Sequence, residues 1–194
     1  YRVYAAYCAF IETRFNAGGV NPGAVGWALA VLPPLVGAWL VYAALDAVTP
    51  LLGWAWNVAV LYLTLGFRYY TEAAESVATQ LRAGDTAAAS ATLARWRNGV
   101  ADATPGEADC ARLTVEHTLA ASHRQLFGPL LWFALLSGMG PVGALLYRAS
   151  SIVARRWEGA TGLFGEFARR AFHAINWLPA RATALTFAIA FRWT

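Results

Sequence analysis

Residues 25–45, "VGWALAVLPPLVGAWLVYAAL", contain no charged side chain, and Asp46 is the first to follow. A run of that length restricts the fold more than any other feature, because a helix needs roughly 20 apolar residues to cross a bilayer, with a range of about 17–25. We read Val25 to Val48 as one span and Leu51 to Phe67 as a second, joined by the short turn "TPLLGW" into a helical hairpin. "VLPPLVG" sets two prolines inside the first span and predicts a kink there. Charged residues make up 13% of the chain, against about 25% in soluble domains. That deficit, with nine tryptophans, fits a lipid-embedded protein with two interfaces.

A polar region runs from Arg68 to Arg124 and reads as three helices. Ala74, Val77, Ala78 and Leu81 recur at helical spacing, and "AGD" (Ala83 to Asp85) supplies a glycine stop followed by an Asp cap. Ala89, Leu93 and Trp96 form a narrow apolar face on the next helix. "RNGVADATPGE" is a loop, and Thr104, Pro105 and Glu107 form a capping-box start to a third helix running towards Arg124.

Leu126 to Tyr147 is uncharged again, but "SGMGP" interrupts its middle. Arginines occur on both sides, in 68–124 and in 148–181. A full crossing would leave one arginine-rich segment outside, against the positive-inside rule. Two half-helices meeting at Gly138–Pro141 would return the chain to the side it came from, and we expect this re-entrant form. The alternative is a kinked span. An amphipathic stretch (Ala154 to Arg170) follows. "AINWLPARATALTFAIAF" then begins a further membrane segment, with Pro179 in its first helical turn and Trp177 and Arg181 at the interface. The expected fold is all-α and polytopic. Residues 1–67 form an amphipathic segment and transmembrane hairpin, and 68–125 a helical cytoplasmic region. Residues 126–194 form the broken hairpin, its connector and the start of another span. A start at Tyr1 and an end just after an apolar run read as a piece of a longer protein.

All fifteen basic residues are arginines, scattered rather than gathered, so nucleic-acid binding is not expected. Cys8 and Cys110 have no metal or redox spacing and read as two free thiols. Glu116, Ala120 and His123 fall at i, i+4 and i+7, so Glu116 and His123 share a helix face. A carboxylate that polarises an imidazole suits acid–base work or helps to hold a cation. The plainer reading is a solvated or capped helix end, with His123 and Arg124 beside headgroups or helix carbonyls. His117 and His123 point to different faces, which argues against a helix-borne two-His metal site, and His173 reads as interfacial. Asn57 and Asp46 are the polar residues within or bordering the spans, and a polar group at that depth is a functional candidate. Neither "AGG" (Ala17 to Gly19) nor "SGMG" has the strand and lysine of a P-loop.

"NVAVLYLTLGFR", "LRAGDTAAASATLARW", "FGPLLWFALLSGMGPVGALLYR" and, about thirty residues later, "INWLPARATAL" occur in this order. Together they resemble the CobD/CbiB–AmpE superfamily of integral membrane proteins, from about Asn57 to Ala190. One branch of the family contains adenosylcobinamide-phosphate synthases, which join an aminopropanol unit to cobyric acid with ATP and magnesium. Their motif, approximately E-S-x-A-E-N-x-x-D-G-x-x-A-P, falls on Glu116 to Pro129. Glu116, Ala120 or Ala121, and Pro129 match it. Ser122 and His123 stand where the Glu-Asn pair falls, and Gln125–Leu126 near the Asp-Gly. "ASSIVARRW" also lacks the acid of a later asparagine-aspartate position. The other branch resembles AmpE, an inner-membrane protein associated with β-lactamase induction and cell-wall recycling. Its "LAPLFW…GPV" and "DWVPVR" are similar to "FGPLLWF…GPV" and "NWLPAR", with Asn176 replacing the acid.

The scarcity of acids leads us to expect an AmpE-like regulatory protein of the bacterial inner membrane, multi-pass and without a bound cofactor. Lipid, and a membrane-protein partner or a second copy, would be its partners. Glu116 and His123 are the catalytic candidates, with Arg124, Asn57, Pro129, Asn176 and Arg181 as further site or interface residues. One alternative is the ATP-dependent amide-forming synthase of cobalamin biosynthesis, which would bring magnesium and ATP. A transporter or an accessory subunit is another, though no inverted repeat supports a transporter.

Overall fold

The computed structural model describes residues 2–15, 20–65, 67–96, 106–158 and 164–191, and no strand occurs among them. The helices are α1 (Arg2–Phe15), α2 (Val20–Val48), α3 (Pro50–Thr64), α4 (Phe67–Arg82), α5 (Thr86–Trp96), α6 (Glu107–Ser122), α7 (Gly128–Leu135), α8 (Val142–Arg156) and α9 (Phe164–Phe191). They form two compact units, one of Tyr1–Thr64 with Phe127–Thr194, the other Leu65–Leu126.

The unit Leu65–Leu126 packs α4, α5 and α6 around Val77, Ala89, Leu93, Trp96, Cys110 and Ala121, with Ala74, Leu81 and Leu113 at the edge. The apolar spacing expected for α4 and α5 thus faces this core. Between them Gly84 takes φ +75, a left-handed position that glycine adopts without a Cβ clash. Asp85 Oδ1 then accepts the Ala88 N–H at 2.9 Å and caps α5. α6 starts at Glu107 with Gly106 as its N-cap, and no side chain caps it. Thr104 and Pro105 of the expected capping box lie outside the described residues, as do most of the loop "RNGVADATPGE" and "AGG".

In the other unit, α2 remains one helix through Pro33 and Pro34. Proline has no N–H to give the carbonyl four residues earlier, so the Leu29 and Ala30 oxygens lose their usual donors. α1 replaces both. The Tyr7 hydroxyl donates to Leu29 O at 2.8 Å, and the Tyr4 hydroxyl to Ala30 O at 3.1 Å. Burial, with Cys8 alongside, pushes the Tyr4 phenol well above its ordinary range, which keeps it a donor. The same solution recurs on α9. Pro179 leaves Ile175 O without a helical donor, and the Trp132 indole N–H fills the place at 3.0 Å.

This corrects the expected position of Pro179. It sits inside the 28-residue helix Phe164–Phe191 and not in a first turn, because a donor from α7 makes the interior position tolerable. The amphipathic stretch Ala154 to Arg170 is likewise not continuous: α8 ends at Arg156 and α9 begins at Phe164.

The break at "SGMGP" is a turn between two antiparallel helices. Residues Ser137–Met139 form a single 3₁₀ turn, and Gly140 follows at φ +67. α7 and α8 pack so closely that a Cβ on Gly143 would lie 2.0 Å from Trp132 O. The hairpin tip reaches Tyr42, whose ring touches Gly140, and the far end of α8 brings Trp157 to Gly26. α8 therefore runs antiparallel to α2 over about 24 Å, taking 1.5 Å for each residue between positions 26 and 42. The chain thus reverses direction at the expected break.

The expected set of spans is smaller. Pro22–Val48 is the one described helix long and apolar enough to cross a membrane, and 17% of its most apolar window is buried. A soluble core helix would be mostly buried. The second expected span, Leu51 to Phe67, is shortened: α3 ends after 15 residues at Thr64, and Phe67 already belongs to α4. At about 1.5 Å per residue, α3 covers only some 22 Å.

Candidate functional site

The sequence candidates divide between the two units. Glu116, His123 and Arg124 belong to Leu65–Leu126. Pro129, Asn57, Asn176 and Arg181 belong to the other unit.

Glu116 is solvent-exposed and His123 half-buried, and the chain is α-helical from one to the other. From His123 to Phe127 the backbone widens into a π-helical turn, a feature often found at functional sites. Its cause is local. The ring of Pro129 would press on the carbonyl of Gln125 in a regular α-helix, and a wider turn relieves that clash. His117 is engaged elsewhere, edge-on to Trp96 with ring centroids 4.6 Å apart. Among the described residues no group of three or more His, Cys, Asp or Glu could hold a metal ion. Asp109 pairs with Arg112 at 3.8 Å. The described carboxylates do not assemble a magnesium site, so no step through magnesium–ATP is assigned to them.

The second constellation centres on Tyr147, which is fully buried. Its hydroxyl donates to Asn176 Oδ1 at 2.6 Å, and its ring meets Phe172 at 5.5 Å. A Cβ on Gly128 would lie 2.2 Å from the same ring, so only glycine fits before Pro129. Tyr147 thus joins the "FGPLLWF" and "INWLPAR" motifs, 29 residues from Asn176. Arg181 stacks on Trp177 at 4.4 Å, both exposed. Asn57 lies on α3 with its side-chain oxygen buried and without a hydrogen-bond donor. His173 is exposed.

Sequence reasoning missed Tyr147 and the role of Arg148. Arg148 was counted with the polar segment 148–181, but it lies midway along α8, which continues to Arg156. There it helps to line a cleft of about 410 Å³ formed with α1, α2 and α3. The signal was available: Tyr147 and Arg148 sit inside one helical period with Ala144, Ser151 and Ile152.

Residues 1–194 match the family described as "CobD/Cbib protein". The chain belongs to the CobD/CbiB family. It is 31% identical over 192 residues to a protein of Stutzerimonas stutzeri named "Cobalamin biosynthesis protein CobD", covering 92% of this chain and 58% of that one. A protein of the same name from Chromobacterium violaceum is 37% identical over 172 residues, covering 85% of this chain and 51% of the relative. The chain therefore spans just over half the length of these curated relatives. No solved structure matches it. The two motifs that Tyr147 ties together are two of the four that carry the resemblance to the CobD/CbiB family.

Proposed function

We propose that this chain is the membrane-inserted portion of a cobalamin-biosynthesis protein, and that the whole protein carries out the amide-forming step of adenosylcobinamide-phosphate synthesis. The observation that carries this reading is the family match over 1–194 together with two relatives named for cobalamin biosynthesis. They favour the synthase alternative over the AmpE-like regulatory reading, for which no relative speaks. The acids missing from Glu116 to Pro129 are the observation that stands against this reading; the family match and the two relatives' names outweigh it. Glu116 and His123 stay the catalytic candidates, a carboxylate and an imidazole at i and i+7 of one helical stretch.

Insertion in a bilayer is supported by the outward face of α2 and α3. Leu32, Val36, Leu40, Trp54 and Leu63 are all exposed, and the first three follow one another at helical spacing as an apolar stripe on α2. Arg155, Arg156, Arg169 and Arg170 lie near the α2 end marked by Trp157 and Phe164, opposite the Asp46–Gly53 turn. By the positive-inside rule that arginine-rich end is cytoplasmic. Cysteine labelling at Glu158 tests this, and access from the periplasm would refute it.

The functional test is rescue of a strain lacking adenosylcobinamide-phosphate synthase by the full-length protein. Rescue is the expected result. Absence of rescue by a well-expressed protein, with β-lactamase induction altered by its deletion, would restore the regulatory reading. Glu116→Gln should cut rescue at least tenfold without moving the melting temperature, because the side chain is exposed.

A further inference from the structure

The cleft beside Arg148 has a volume of about 410 Å³, many times the roughly 30 Å³ of one water. Its walls include Leu35 and Ala38 from α2, Val60 and Leu63 from α3, and Leu145 from α8. Of the described residues lining it, Arg148 alone carries a charge. Leu63 is 79% exposed, so the wall on α3 continues into the outer surface.

Depth decides what can fill it. Gly140 touches Tyr42 and Trp157 touches Gly26, so Arg148, about halfway between Gly140 and Trp157 on α8, stands opposite the middle of α2. Phospholipid headgroups stay at the bilayer surface, and acyl tails offer no acceptor to a guanidinium that keeps its charge. A charge at this depth is costly and is met by a partner inside the protein. Arginine has five N–H donors in a planar fork that matches a carboxylate, so it can take one up in addition to its contacts within the protein. An apolar body that carries a carboxylate to mid-depth is a helix, because a helix satisfies its own backbone groups in lipid.

The described acids of this unit do not reach that level. Asp46 lies against Gly53 at the α2–α3 turn. Glu158 and Glu166 flank the contact between Trp157 and Phe164. Glu12 stands one turn past Cys8, whose carbonyl accepts the Trp157 indole N–H. All four sit at the ends of the helices, so a second copy of this unit packed on the cleft would bring no acid to the middle.

We propose that the cleft receives a membrane helix from the part of the protein outside residues 1–194, apolar except for one Asp or Glu near its midpoint that pairs with Arg148. The proposal rests on the membrane reading above and adds a defined occupant to it. Charge complementarity selects the acid, and apolar walls open at α3 select a helix. The two curated relatives are matched over 58% and 51% of their length, so proteins of this family have the further chain to supply one.

The test uses the full-length protein in bacterial membranes, with Leu63 replaced by the photocrosslinker p-benzoylphenylalanine at an exposed position. Illumination should join that site to an apolar peptide outside residues 1–194 that contains one Asp or Glu, mapped by mass spectrometry. Arg148→Glu should lower the crosslink roughly fivefold or more, and changing the mapped acid to Arg in the same protein should restore it to within about twofold. If Arg148→Glu does not fold, Arg148→Gln combined with neutralisation of the mapped acid serves instead: each change alone should lower the yield of folded protein, and the pair should recover it. Crosslinks to lipid only, to a peptide of residues 1–194, to another protein or to a helix without an acid would overturn the proposal. So would a charge exchange without recovery. Carbonate extraction of the membranes separates the two failures: a protein released by carbonate contradicts insertion itself, whereas one retained without the expected crosslink contradicts only the cleft assignment.

Discussion

In Leu65–Leu126 the large apolar side chains turn inward: Val77, Leu93 and Trp96 are buried where α4, α5 and α6 meet. In the unit built from α1–α3 and α7–α9 many of them turn outward. Val36 is 52% and Trp54 64% exposed, while its interior sets small residues such as Cys8, Ala30, Ala149 and Ala168 around the large Trp157 and Phe164. Helices in lipid gain little from burying leucine, since the tails are as apolar as the side chain; they associate through close packing of small residues and through hydrogen bonds. On the membrane reading proposed above, this is the contrast expected between a unit that faces water and one that faces lipid.

The largest expected effects set the two units against each other. Leu93→Ala should destabilise the water-type unit by about 2–5 kcal/mol, read as a fall in its melting temperature. Val36→Arg should cost about 2.5–3.5 kcal/mol in a bilayer, but within about 0.5 kcal/mol at a watery surface. Its share in the carbonate-resistant membrane fraction distinguishes these, and an unchanged share would collapse the comparison.

Next is the close packing. Gly143→Ala should cost about 1–3 kcal/mol, because its Cβ would meet the backbone oxygen of Trp132 at 2.0 Å, which no rotamer change can move. Gly37→Ala has nothing within 4 Å and should be neutral or mildly stabilising. Thermal unfolding in detergent measures both, and equal effects would argue against a tight α7–α8 contact.

Tyr4→Phe should cost about 1–3 kcal/mol by leaving Ala30 O without a donor. In a Pro34→Ala background the restored N–H should supply that bond, so most of the penalty should vanish. A double-mutant cycle gives the coupling; a coupling near zero would mean that the hydroxyl does not stand in for the missing amide.

The smallest effect is one of pH. Burial pushes the Cys110 thiol above its ordinary value, partly offset by a hydrogen bond with Thr114. The folded unit therefore holds its proton more tightly than the unfolded chain does. Stability is fully present below the unfolded value, about 8.5, and falls as pH rises from there through the folded one. Denaturant midpoints at pH 7.5 and 9.5 should differ for the native protein and less for Cys110→Ala.

Local signals were legible. Periodicity placed Val77, Leu93 and Trp96, "AGD" gave the α4–α5 turn, and "SGMGP" the reversal between α7 and α8. Spacing also placed Glu116 and His123 on one helix face, since that depends on residues seven apart. Three readings failed for a shared reason. Pro179 looked like a helix start, Arg148 like the edge of a polar segment, and Leu51 to Phe67 like a span. Each depended on what a distant element supplies or on where a helix stops, and an apolar run marks neither.

By itself, then, the sequence determined an all-helical chain, its apolar runs, its breakpoints and its family resemblance, because each is written in residues within a few turns of one another. Only the tertiary structure decided how the prolines are tolerated and where the motifs converge. Tyr4 and Tyr7 reach α2 across 26 and 22 positions, Trp132 reaches Ile175 across 43, and Tyr147 reaches Asn176 across 29. A proline announces that a carbonyl has lost its donor; which side chain replaces that donor is a matter of packing.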